Sequence, residues 1–206
     1  MGRRSDHTRT ELEALMIAAG HALLAEKGYA AFSAREVAKR VGYSVGTLYN
    51  VFDTHDDLML AINTRTFLEW AAAIAARLET AGEDRIAVLV DSYFDFATAN
   101  RNLWMAIYDH RLPEGAPFPD RYAQDRRRLT IIVEQEIARV LPPDREDLAP
   151  PLARSLLATV HGHCVFLLNG TFALLEEEHP REAALARARE ALEAARSGSP
   201  ADTGRF

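Results

Sequence analysis

The stretch AREVAKRVGYSVGTLYNVF, Ala34 to Phe52, sets two short apolar-periodic segments on either side of Gly42. Neither can hold a helix alone, because isolated helices shorter than about 12–15 residues are marginal in water. Two such helices become rigid together if they cross steeply over a small contact and the turn holds a residue that tolerates positive φ. Gly42 and the small Ala38 meet those demands, and Val37, Val41 and Leu48 supply an apolar seam for a third helix. Arg35, Lys39, Ser44, Thr47 and Tyr49 are then left to face outward. This is helix-turn-helix geometry, in which the second helix lies in the major groove of DNA with its first turns against base edges.

The rest of the chain reads with helical period, and alternating strand-like runs are missing, so the expected fold is all-α. Leu12, Leu15, Met16, Ala19, Leu23 and Leu24 form one stripe of a first helix over about 8–27, stopped by Gly28. Ser33 with Glu36 is a capping box for the second helix, and Ser44 caps the third, which ends near Asn50. Thr54 opens a fourth helix that runs to about Thr80, with Asp56 and Asp57 favoured by the helix dipole in its first turn. Further helices are expected over about 84–100, 103–110, 119–140, 146–170 and 180–196. The pattern divides the chain into a three-helix helix-turn-helix domain over 1–53, a larger helical domain over 54–198, and a disordered tail over 199–206.

The net charge of the 206 residues is −6, which hides an asymmetry. Residues 1–55 hold seven Lys/Arg against six Asp/Glu, and the remainder seventeen against twenty-four. An acidic body repels DNA and leaves the N-terminal face as the contact surface; Arg3, Arg4 and Arg9, placed before the first helix, can reach phosphates or a minor groove. Cys164 is the single cysteine, so no disulfide forms within the chain and a reducing compartment is the simplest fit. The N-terminus lacks an apolar run before a small-residue cleavage site, and no uninterrupted apolar run approaches the ~20 residues of a membrane-spanning helix. The expectation is a cytoplasmic protein with no membrane partner.

Ala18-Ala19, Leu23, Gly28-Tyr29, Phe32-Ser33, Glu36-Val37-Ala38, Val41-Gly42, Ser44 to Tyr49, Phe52 and Leu58 together resemble the N-terminal domain of the TetR (tetracycline-repressor-like) family of bacterial transcriptional regulators. The resemblance implies a homodimeric regulator, a repressor more often than an activator, that a small-molecule effector releases from palindromic operator DNA. By motif position it places DNA contacts at Ser33 and Arg35, at Ser44, Val45, Gly46, Thr47, Tyr49 and Asn50, and at His55. His55 stands where the family usually has a lysine, so a fixed positive charge is replaced by an imidazole beside helix-terminal N–H groups.

In the body, Leu152, Leu156, Thr159, Val160, His163 and Leu167, with Leu185, Ala188 and Leu192, are the expected dimer interface, since two helices rich in small residues can form a four-helix bundle between subunits. Phe67, Trp70, Ile74, Tyr93, Phe94, Trp104, Met105, Tyr108, His161 and Phe166 are the expected lining of an apolar, aromatic effector pocket, an assignment that stands against the alternative of plain core. His161, His163 and Cys164 do not make a metal site, because only His161 and Cys164 share a helix face. No cofactor is expected. Nucleophile elbows, HExxH and phosphate-cradling glycine loops are absent, so catalysis is not expected. The rival reading is an all-α adaptor that uses its helix pair for protein contacts without binding DNA, which would place apolar rather than polar residues on the third helix.

Overall fold

The computed structural model describes residues 7–115 and 118–198, with the side chains of Arg121 and Arg126 left aside. Among these residues the regular structure is helical: α1 (Arg9–Lys27), α2 (Ala34–Val41), α3 (Val45–Val51), α4 (His55–Glu79), α5 (Arg85–Ala99), α6 (Arg101–Asp109), α7 (Asp120–Val140), α8 (Ala149–Leu168), the single turn α9 (Thr171–Leu174) and α10 (Pro180–Ser197). Three-ten turns precede α2 (Tyr29–Ala31) and α8 (Pro143–Leu148). Arg3, Arg4 and the tail 199–206 lie outside the described residues. Arg9 belongs to the first turn of α1 rather than to an arm, and its guanidinium donates to the Val51 carbonyl at 3.2 Å.

Packing divides the chain into two compact units, Met1–Trp70 with Ala99–Arg126, and Ala71–Thr98 with Arg127–Phe206. The division differs from the sequence boundary at residue 53 for a packing reason. The N-terminal half of α4 joins the same core as α1 to α3 through Leu58, Met59 and Ile62, and α6 joins it through Leu103 and Ala106. That core is built on Met16, Leu23, Leu24, Val37, Leu48 and Phe52, all essentially without solvent exposure. Leu15, expected in the stripe of α1, is 40% exposed because the helix turns that edge away from α2 and α3. Gly20 sits where α1 meets α4, and a Cβ built on it would lie 2.5 Å from Ile62 Cδ1.

In the second unit α8 and α10 pair through Ala153, Leu156, Val160 and Cys164 against Ala184, Ala188 and Leu192. Arg85 of α5 holds the buried Glu136 of α7 through two hydrogen bonds of 2.5 and 2.9 Å. The guanidinium keeps the Glu136 carboxyl below the usual carboxylate range. The helical segment Pro143–Leu168 is long and apolar enough, by length and average composition, to cross a membrane, a test that the core helix of a soluble protein also passes; its apolar run is nowhere uninterrupted over that length, as the sequence reading has it. Arg154, His161 and His163 interrupt the run without lowering its average enough. Only 22% of its most apolar stretch is buried within the chain, so α8 carries an apolar surface that its own fold leaves uncovered.

Gly20→Val forces two methyl groups into the α1–α4 contact, and overpacking of this kind destabilises by about 1–3 kcal/mol. Urea denaturation is expected to show that loss. An unchanged midpoint would mean that α1 and α4 are not held at this separation.

Candidate nucleic-acid interface and ligand cavities

The helix-turn-helix is set by its caps. Ser33 Oγ accepts from the Glu36 N–H at 3.4 Å, which is half of the expected capping box. The other half does not form, because the Glu36 carboxylate turns to Lys27, 2.9 Å away, and to Arg40, 3.2 Å away. Gly42 ends α2 at φ 82°, ψ 23°, a left-handed conformation that glycine adopts without strain. With it in place the Gly42 and Tyr43 N–H groups reach back to the carbonyls of Lys39 and Ala38 at 3.1 and 2.9 Å. Ser44 then caps α3, its Oγ accepting from the Thr47 N–H at 3.1 Å.

Only Leu48 of α3 is buried, against Val37, Ala38 and the α1 core. Tyr49 is 41% exposed. Asn50 and Gly46 are exposed, and Val45 and Thr47 are half-buried. A Cβ on Gly46 would meet nothing nearer than Ser44 Oγ at 3.6 Å, so the fold itself does not require glycine there. Its absent side chain bares the backbone for an approaching partner instead. Ser44 and Thr47 also hydrogen-bond each other, Oγ to Oγ1 at 3.0 Å, which orients both hydroxyls at the start of the helix. His55 is the first residue of α4, its ring 5.9 Å from Phe32.

Charge on this face is sorted by pairing. Arg40 forks onto Glu26 at 2.7 and 2.9 Å, and Lys27 pairs with Glu36 at 2.9 Å. The Arg40 hydrogen bond lowers the Glu26 carboxyl pKa, and the Lys27 hydrogen bond lowers that of Glu36. Arg35 and Lys39, one turn apart on the outer face of α2, are exposed and carry no such pairing among the described residues. The sequence places Lys39 on the outward face with Arg35 but does not name it among the DNA contacts; the carboxylates that neutralise Arg40 and Lys27 set these two cations apart.

Each unit contains a cavity. One of ≈ 40 Å³ in the second unit is walled by Ile74, Ile86, Leu89, Tyr93, Leu129, Val133, Ile137, Leu156, Val160 and Ala188. At its edge the Tyr93 hydroxyl lies 3.0 Å from His161 Nδ1. Another of ≈ 220 Å³ in the first unit is lined by Leu60, Asn63, Thr64 and Phe67 of α4 with Ile107, His110, Leu112 and Phe118.

Against known families, residues 16–62 match the bacterial regulatory proteins of the tetR family. Residues 86–194, more than half of the chain, match the tetracyclin repressor-like C-terminal domain. The chain belongs to the TetR family. Its structure is similar to that of a protein of unknown function from Rhodococcus sp. RHA1, with 21% identity over 94% of this chain and 98% of that one, and a TM-score of 0.68. It is also similar to the multidrug binding protein EbrR complexed with imidazole, at 23% identity over 98% and 100% of the two chains and a TM-score of 0.59. The EbrR complex with proflavin gives 22% identity over 89% and 99%, with the same TM-score of 0.59. Among curated proteins no match is found.

In this TetR-family regulator the residues expected to line one aromatic pocket are dispersed. Ile74 and Tyr93 line the cavity of the second unit, where His161 adjoins Tyr93, and Phe67 lines the cavity of the first. Trp70 is fully buried against Phe67, and Trp104 is fully buried against Tyr108, itself 37% exposed. Phe94 is buried beneath the Arg181 guanidinium, 5.5 Å from its ring centre, and Met105 is half-buried on α6. Phe166 is 42% exposed and packs edge-on against Phe172, away from either cavity. Of the expected dimer residues, Leu156, Val160, Ala188 and Leu192 are buried within their own unit, because α8 turns that row toward α10. Leu152, Thr159, His163 and Leu185 are half-buried and Leu167 is exposed. His163 Nδ1 lies 2.8 Å from the Thr159 carbonyl, and burial pushes the Cys164 thiol up to about 12.

Burial also holds His161 below the ordinary imidazole range. It does the same for His21, an effect that the Glu69 carboxylate 3.4 Å away only partly offsets. Both rings fold neutral, while the unfolded chain takes up protons near pH 6.5. The stability they contribute is therefore fully present above about pH 6.5 and is lost as pH falls toward the lowered folded values. Melting temperature is expected to drop between about pH 7 and 5.5, and His161→Leu and His21→Leu should each flatten the drop. A slope untouched by either substitution would contradict neutral burial.

Proposed function

We propose that this TetR-family transcriptional regulator is a repressor that binds a palindromic operator as a homodimer and is released by a small apolar or aromatic effector. The observation that carries the reading is α3, whose one buried residue is Leu48 and which leaves Gly46, Tyr49 and Asn50 exposed and Val45 and Thr47 half-exposed. In the major groove the Thr47 and Tyr49 hydroxyls and the Asn50 amide can meet base edges, and Val45 can meet a thymine methyl. Ser33, Arg35 and His55 lie at helix starts where phosphates are bound, and Lys39 joins Arg35 as a phosphate contact. Residues 1–53 would do the reading, and 54–198 the pairing and effector binding.

Two reading helices need a partner face, and the apolar surface left on α8 supports one. The exposed or half-exposed row is Pro151, Ser155, Ala158, Gly162 and Phe166, rotated from the row expected in the sequence. Small residues in the middle of such a row let two helices approach closely. Covering this face with a second copy would give the dimer two α3 helices, and dimers of this motif read half-sites about one DNA turn apart, roughly 34–36 Å. The same cover accounts for the apolar character of α8 in a cytoplasmic protein with no membrane partner.

For the effector, the cavity at Ile74, Tyr93 and Val160 offers an apolar wall with one polar edge, the Tyr93–His161 pair. The multidrug binding protein EbrR is complexed with imidazole in one structure and with proflavin in another, and a planar aromatic ligand is the chemical match proposed here. At ≈ 40 Å³ the cavity must open to admit one, and Ile74 is part of α4, the helix whose first turn follows α3. A displacement of α4 is the proposed route from effector to DNA, with a coupling of about 1–3 kcal/mol weakening operator binding roughly 5–150-fold.

Gel-shift titration against the DNA upstream of the gene tests the reading. Tyr49→Ala is expected to abolish sequence preference, and Arg35→Ala and Lys39→Ala each to lower the log–log salt slope by about 1. Ala158→Arg is expected to give monomers in sedimentation and to lose operator binding with them. Binding that ignores salt, or a monomeric wild type that still binds, would overturn it.

A further inference from the structure

The cavity of the first unit carries a feature that packing does not explain. Asn63 and Thr64 are 6% and 7% exposed, on the buried side of α4. The Asn63 amide nitrogen donates to the Ala106 carbonyl at 3.3 Å, and since a carbonyl can only accept, this fixes which end of the amide faces α6. Asn63 Oδ1 and Thr64 Oγ1 are left buried with no hydrogen-bonding partner among the described residues. Both residues line the ≈ 220 Å³ cavity, whose other walls, Leu60, Phe67, Ile107 and Leu112, are apolar. Two unanswered polar atoms each disfavour folding, and a wall of Leu or Val would have avoided it.

We infer that this cavity is a second effector site, for a small neutral aromatic molecule bearing a hydrogen-bond donor, of the phenol, aniline or benzamide type. The donor is required because Asn63 Oδ1 can only accept and Thr64 Oγ1 accepts as readily as it donates. Neutrality follows from the walls. Asp56, the near carboxylate, is already engaged, its Oδ1 3.0 Å from His110 Nε2, so a cation would be desolvated without a counter-charge. An aromatic body suits the Phe67 ring and the aliphatic walls, and ≈ 220 Å³ admits one ring.

The site lies in the unit that carries α3, and the cavity at Tyr93 belongs to the other unit. His110, one of its walls, leads to the reading head twice. It is bonded to Asp56 in the first turn of α4, and its ring centre is 6.0 Å from that of Tyr29, in the turn before α2. An occupant leaning on His110 bears on both ends of the helix-turn-helix.

The test uses the full chain without DNA, so its failure leaves the operator reading untouched. Phenol and toluene have nearly the same shape and differ in the donor; each is titrated by calorimetry and by ligand-observed NMR. Phenol is expected to bind more tightly than toluene, with one site per chain that responds to substitution of Thr64. Thr64→Val, which keeps the shape of the side chain and removes the unanswered hydroxyl, should weaken phenol about tenfold, leave toluene unchanged and not lower the melting temperature. Thr64→Ser, which keeps the hydroxyl, should retain the preference for phenol. Equal binding of phenol and toluene, no binding of phenol, or phenol binding indifferent to Thr64→Val would each show that ordered water alone answers Asn63 and Thr64, and would overturn the site.

Discussion

Burial of Leu48 beneath α3 is the contact on which the outer surface of the reading head depends. A helix of seven residues has no stability of its own, so its position is set by what lies under it. Val37, Ala38, Leu23 and Met16 form that floor, and the α1–α4 approach at Gly20 and Ile62 closes it from below. Because only Leu48 is fully buried, with Val51 packed beside the same core, Gly46, Tyr49 and Asn50 are left exposed. A longer, more deeply anchored helix would be steadier and would expose less.

The parts legible in the sequence were those governed by local chemistry. Gly42, Ser33, Ser44 and Thr54 act through their own backbones and nearest turns, and the helices begin and end within a few residues of where these punctuators place them. Long-range choice was less legible. The apolar character of α8 is visible as composition, yet whether Leu156 or Ala158 meets the neighbouring helix depends on how the helix is rolled, and Ala, Gly and Ser are tolerated on either side. Pooling the aromatics into one pocket failed for the same reason: period shows that Phe67, Trp104 and Phe166 are on apolar faces, not that the faces meet. Asn63 and Thr64 were invisible because their significance lies in what does not stand opposite them.

Electrostatics on the reading head show how a nearly neutral module can present a positive face. Glu26 and Glu36 hold Arg40 and Lys27 to one side of α1 and α2, so their charges cancel locally. Glu36 thereby leaves its expected place in the capping box, and Ser33 caps α2 unaided. Among the described residues of α2, Arg35 and Lys39 remain outward, so placement as well as net charge shapes the field at the surface.

Cys164 gives the molecule a built-in reporter. Its thiol is fully shielded between α8 and α10, and with its proton held up to about 12 it offers almost no thiolate at neutral pH. Alkylating reagents can therefore reach it only during excursions that separate those helices. As the chain has no other cysteine, the rate at which a maleimide attaches measures the breathing of that core, with no label to introduce and no background to subtract.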